Sequence, residues 1–185
     1  MSIMVDEKIF SFAYKMAFRD ATMRKAFPRL DGENSDDFSK RKYDVMDIAK
    51  QPVQEYIKKI FAGAHPNPLK TITTICERTN QLNFSFGNAQ KLVNMTAKYM
   101  FISTYGDEKK RNLFSDCECP MDSVMIGILR KKCPKTSLKV NVSWSRLPWD
   151  KDNIPKEYKV FQDGIREMLE EGKLPIEADY LYWDE

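Results

Sequence analysis

Helical periodicity constrains this chain more than any other feature. In "FGNAQKLVNMTAKYM", residues 86–100, the side chains of Ala89, Leu92, Val93, Thr96, Tyr99 and Met100 recur at three- and four-residue steps on one arc. The arc runs on to Ser103, and the spacing predicts a helix over 88–104. The same period returns in Ile9, Phe12, Ala13 and Met16, predicting a first helix over 4–26. Leu69, Ile72, Ile75 and Cys76 mark another apolar face after Pro66 and Pro68, and Tyr158, Phe161, Ile165, Met168 and Leu169 mark a last one. "QPVQEYIKKIFAG" reads as a helix with Pro52 at its start and Gly63 at its end, and a further helix is expected from Asp122 to Lys132. The expected fold is therefore mainly α, one compact helical domain across residues 1–185. Three stretches depart from the pattern. The charged run 31–50 is expected to be a partly helical or mobile connector, "SLKVNVSW" allows a short strand near 138–144, and residues 174–185 form an acidic C-terminal tail.

Composition narrows the class. Hydrophobic residues make up 42% of the chain and aromatics 12%, enough for a packed core rather than a disordered chain. No apolar run approaches membrane-spanning length, and "MSIMVDEKIFSFAYK" carries acids where a signal peptide would be basic, so a cytoplasmic protein without a membrane partner is expected. The four cysteines, Cys76, Cys117, Cys119 and Cys133, offer one CxC and no pair of CxxC motifs, and the single histidine is distant. Reduced structural thiols are expected, with no metal and no cofactor. The net charge of +3 is unevenly spread: eight acids face two bases from Gln162 onward, whereas five of ten residues in "RKKCPKTSLK", 130–139, are basic. That run, including Lys131 and Lys132, is able to meet phosphates or simply to cap a solvated helix end. The tryptophans at 144, 149 and 183 sit in aromatic, charged settings. The expectation is that the tail packs back over the domain. The alternatives are that it offers a surface to a protein partner or covers the basic run.

Two side chains stand out chemically. Lys91 lies in the first two turns of the 88–104 helix at its buried edge, with Lys98 seven residues on, and Gly87 ahead of it permits close approach of another chain. Asp122, following Pro120, precedes an apolar run as a helix N-cap does. Taken together, "AQKLVNMTAKYMF" followed by "CPMDSVMI" resembles the helix-hairpin-helix DNA glycosylases, most of all the divergent archaeal type of 8-oxoguanine glycosylase and its bacterial OGG-like relatives. The motif-bearing match covers about residues 80–130, with Gln90, Lys91, Lys98, Pro120 and Asp122 at the matching positions.

The resemblance implies a helical glycosylase fold, DNA as partner, Lys91 as catalytic amine, Asp122 as catalytic carboxylate, and Gln90 and Lys98 as substrate- or DNA-binding residues; Gly87, through a left-handed backbone or the close approach it permits, and Lys131 and Lys132, through the basic run, are further DNA-binding candidates. The implied activity is excision of a damaged base, 8-oxoguanine among the candidates, through a lysine Schiff base. Such an enzyme extrudes its target nucleotide into a pocket. An amine attacks only when neutral, and an ordinary lysine with a pKa of about 10.4 is almost wholly charged at neutral pH, so burial and a nearby base are expected to help it. The base would stack on an aromatic ring, with Phe84, Phe86, Trp144 and Trp149 as candidates. The family's hairpin is glycine-rich, but "NFSFGNAQ" holds one glycine. Two alternatives therefore stand beside the enzyme: a non-catalytic relative that binds nucleic acid or a nucleotide, and a helical protein-interaction module.

Overall fold

A computed structural model describes residues 5–23, 25–137, 140 and 142–182. Its centre is helix α4 (Phe86–Ile102), fifteen of whose seventeen residues are buried. A helix covered on all sides must be wrapped by others, and five elements do this. Helix α1 (Glu7–Ala21) lies along α4, α2 (Ser35–Phe61) and α3 (Pro68–Thr79) cover a second side, and the short turns at 144–146 and 175–177 close the rest. Ala13, Ala17 and Ala21 sit on the buried face of α1 and let the two axes come close. Asp6 opens α1 by accepting the N–H groups of Lys8 and Ile9, and Thr22 closes it, so the helix expected over 4–26 is shorter at both ends.

The region 31–50 is a correction. From Ser35 the chain is continuous α-helix through the run expected to be a connector, and Pro52 lies inside α2 rather than at its start. The buried stripe Val45, Ala49, Val53, Tyr56, Ile57 and Ile60 passes straight across the proline, so packing outweighs the one hydrogen bond that Pro52 cannot donate. Arg41 anchors the charged part. Its guanidinium donates to Glu33 (2.6 and 2.9 Å) and to the carbonyls of Pro28 (2.9 Å) and Leu82 (3.1 Å), and it lies 4.2 Å from the Phe27 ring centroid. Gly63 ends the helix at φ 72°, as the sequence suggests.

After α4 come α5 (Glu108–Arg111), α6 (Ser123–Lys132), α7 (Pro134–Ser137), α8 (Lys156–Met168) and α9 (Ala178–Leu181). Among the described residues there is no strand. Of the stretch expected near 138–144, residues 138, 139 and 141 lie outside the described set, and Trp144 begins a 3-10 turn. The mainly α class holds. The tail is folded as far as residue 182, with Ile176, Ala178 and Asp179 buried, while Trp183 lies outside the described residues. Its acids Glu177 and Asp179 pair with Arg111 and Lys98, which gives those two charges a destination other than the basic run. The four cysteines are free, and burial pushes the thiols of Cys76 and Cys117 up to about 12, which leaves them protonated and unreactive. No group of residues suited to a metal ion occurs among those described, and no described helix is long and apolar enough to cross a membrane.

Candidate active site

The N-terminus of α4 is built to receive two other segments. Ser85 and Asn88 cap it reciprocally, and the Asn88 amide also donates to the carbonyls of Ala21 (2.7 Å) and Ala26 (3.0 Å). Gly87 is helical, and a Cβ there would lie 1.7 Å from the Trp144 carbonyl oxygen. The close approach that this glycine permits is thus made by the chain's own 144–146 turn rather than by nucleic acid, which corrects its expected role. Ser85 Oγ donates to the Ser145 carbonyl at 2.8 Å and Gly87 N to that of Leu147 at 3.3 Å, and the turn delivers the Trp144 ring beside Lys91.

The next two residues of α4 face the segment before α6. Gln90 is fully buried, and its amide bonds both polar groups of the Met121 backbone. It is an internal fastening, not a residue exposed to DNA. Lys91 Nζ makes a buried ion pair with Asp122 Oδ2. Asp122 is the N-cap of α6, and its other oxygen accepts the Met125 N–H at 2.8 Å. Both carboxylate oxygens are therefore engaged, one by the helix it caps and one by the lysine. The Trp144 ring centroid lies 5.8 Å from the same Nζ.

Two turns further along α4, Lys98 makes a second buried ion pair with Asp179 of α9. The Tyr99 hydroxyl donates to Asp20 at 2.6 Å, and burial followed by that bond raises its pKa. These groups line one cavity of about 350 Å³, with Lys91, Asp122 and Trp144 in one part and Lys98, Asp179 and Asp20 in another. Met23 (58% exposed) and Val124 (43%) are apolar side chains at its margin that remain open to solvent. Three aspartates and two lysines line the cavity, and the third carboxylate, Asp20, has the Arg19 guanidinium 4.0 Å away. Asp179 Oδ1 is buried without a hydrogen-bond partner. In a carboxylate only 1% exposed, that oxygen is shielded from solvent with its acceptor unmet, a cost that the ion pair on the other oxygen offsets.

The structure thus brings together Lys91, Asp122 and Lys98 of the expected residues and turns Gly87 and Gln90 inward. Lys131 and Lys132 are exposed on the last turn of α6, outside the cavity, with Lys132 Nζ 4.4 Å from the Tyr182 ring centroid. Of the aromatic candidates, Phe84 and Phe86 belong to the core, Trp149 packs half-buried against it, and Trp144 alone lines the cavity. Sequence reasoning did not reach Asp20, Tyr99 and Asp179. Asp20 sits near the end of α1 on no recognisable spacing, and Asp179 reads as one more charge of an acidic tail. Its position directly after Ile176 and Ala178 among few apolar tail residues is the one signal it carries.

No known family model matches the chain, and no curated protein or solved structure matches it either.

Proposed function

We propose that this protein is a DNA base-excision glycosylase with lyase activity, acting on an extruded damaged base through Lys91. The observation that carries this reading is the buried contact between the Lys91 amine and the Asp122 carboxylate on the wall of a cavity with an indole beside it. At about 350 Å³ the cavity falls at the small end of ligand pockets, with room for one base and part of its sugar. Asp122 accepts a proton from Lys91, the freed amine attacks the sugar C1′, and the bond from C1′ to the base breaks as that proton passes from Asp122 to the leaving base. Asp122 then takes a second proton from the attached nitrogen and gives it to the ring oxygen as the sugar opens to the protonated imine, and loss of a C2′ proton with departure of the 3′ phosphate cuts the strand by β-elimination. The Asp122 carboxylate beside the attacking amine favours positive charge developing on the sugar. Trp144 supplies a face for the extruded base, 8-oxoguanine being the lesion that the resemblance suggests.

The test is incubation with duplexes carrying 8-oxoguanine, uracil or an abasic site, followed by borohydride. A covalent protein–DNA product that disappears in Lys91→Gln supports the enzyme. The glycine-poor entry to α4 favours a second reading, a relative that binds nucleic acid or a nucleotide without chemistry. Salt-sensitive binding with no trapping on any of these duplexes would establish that reading instead.

A further inference from the structure

The carboxylate that meets Lys91 stands at the end of an irregular segment, residues 117–122, that belongs to no helix. Two glutamines hold this segment. Gln162 of α8 donates through Nε2 to the Cys119 carbonyl (2.8 Å) and accepts the Cys119 N–H through Oε1 (3.2 Å). Gln90 of α4 does the same one residue beyond Pro120, donating to the Met121 carbonyl (2.8 Å) and accepting the Met121 N–H (3.1 Å). Each primary amide thus pairs with a peptide group as a neighbouring strand would. The two amides flank a proline that has no N–H of its own to offer. Both glutamines are buried. The Gln90 amide is itself oriented: Asn94 Nδ2 approaches Oε1 at 3.4 Å and donates to the Tyr158 hydroxyl of α8 at 2.8 Å.

Residues 90 and 91 face residues 121 and 122 as successive rungs, so the Gln90 bonds fix the register at which Lys91 meets Asp122. Without them Asp122 would still be held by its cap bond to Met125, but the chain just ahead of it would lose the bonds that set its register against α4. We infer that Gln90 and Gln162 are positioning residues that set the Lys91–Asp122 contact, Gln90 more strongly because it acts on the adjacent residue. In the proposed reaction, on which the catalytic part of this inference rests, a displacement of about 1 Å costs roughly 10²-fold in rate.

The experiment is a double-mutant cycle of Gln90→Met and Asp122→Asn read in two ways. Reductive methylation with formaldehyde and cyanoborohydride, mapped by mass spectrometry, compares labelling of Lys91 with that of Lys98 and requires no DNA. The ratio is expected to rise several-fold in each single variant, as the amine loses its carboxylate, and to rise no further in the double variant. A purely structural role for Gln90 would add to the effect of Asp122→Asn. Borohydride trapping on abasic-site DNA is expected to fall about 10²-fold in Gln90→Met and to show the same lack of additivity. Should Gln90→Met fail to fold, Gln90→Glu decides. It is nearly isosteric and regains the donor when protonated, so its labelling ratio should return toward wild type as pH falls. A labelling ratio unchanged from wild type in the folded variant overturns the inference. An absence of trapping by the wild-type protein, with the labelling ratio still responding, would remove the glycosylase reading and leave the positioning role in place.

Discussion

The two ends of the cavity contain the same pair of residue types in different states. Lys91 and Lys98 stand seven residues apart on α4, and each meets an aspartate brought by another element. At one end, Asp122 has both oxygens committed, to the α6 backbone and to Lys91. At the other, Asp179 pairs with Lys98 through one oxygen and leaves the second unpartnered. A carboxylate saturated by fixed partners has a defined position and suits a proton transfer at a defined atom. A carboxylate buried with its second oxygen unmet depends on its one cation for its place in the fold. The comparison teaches that an ion pair on a cavity wall identifies a site only together with its remaining valences.

The variants that break this comparison most sharply act on the Lys91 end. Lys91→Gln is expected to abolish imine trapping. Asp122→Asn, which keeps the helix cap, is expected to slow it by about 10²–10⁴-fold, read as the single-turnover trapping rate on abasic-site DNA. At the other end the principal effect is on folding. Lys98→Met leaves Asp179 buried and unpaired, at a cost of about 3–5 kcal/mol by urea denaturation, whereas Lys98→Met with Asp179→Asn should recover most of that loss.

The fold was more legible in the sequence than the site. Helices α1, α3, α4, α6 and α8 follow from apolar spacing and N-cap residues, because local periodicity and burial agree there. Only the first half of α2 was hidden, because it buries a stripe one residue wide and because Pro52 reads as a boundary although packing carries the helix across it. Lys91 and Asp122 were singled out as a pair through the resemblance carried by their two motifs, since neither stands out alone, and the structure puts the two side chains in contact. Asp20 reaches the cavity through the docking of α1 on α4, and Asp179 through that of the 175–177 turn just ahead of α9, tertiary events that the sequence hardly marks. Gly87 and Gln90 were recognised as special residues but assigned to the wrong neighbour. A glycine and a buried amide announce a close approach or a bond, not its partner.

Smaller effects sharpen the contrast between wall and scaffold. Gly87→Ala is expected to displace the turn that carries Trp144, costing about 1–3 kcal/mol in thermal or chemical unfolding and altering tryptophan fluorescence. Away from the cavity, hydrogen bonds from Arg41 hold the Glu33 carboxyl down to about 2 from its usual 4.5. A carboxyl lowered on folding stabilises the fold above its unfolded pKa and loses that contribution as pH falls through the folded one. Glu33→Gln should therefore lower Tm at pH 7, with the gap to wild type closing between about pH 4.5 and 2 in a circular-dichroism series. The smallest effect is expected outside the site. Lys131→Gln and Lys132→Gln should each reduce the salt dependence of DNA binding by at most about one counterion, without changing the trapping rate of bound substrate.

The most direct measurement is the identity of the residue that becomes joined to DNA. Borohydride-trapped protein on an abasic-site duplex, digested and sequenced by mass spectrometry, should carry the sugar remnant on Lys91. A remnant on Lys98 or on a surface lysine, or no covalent product at all, would contradict the account.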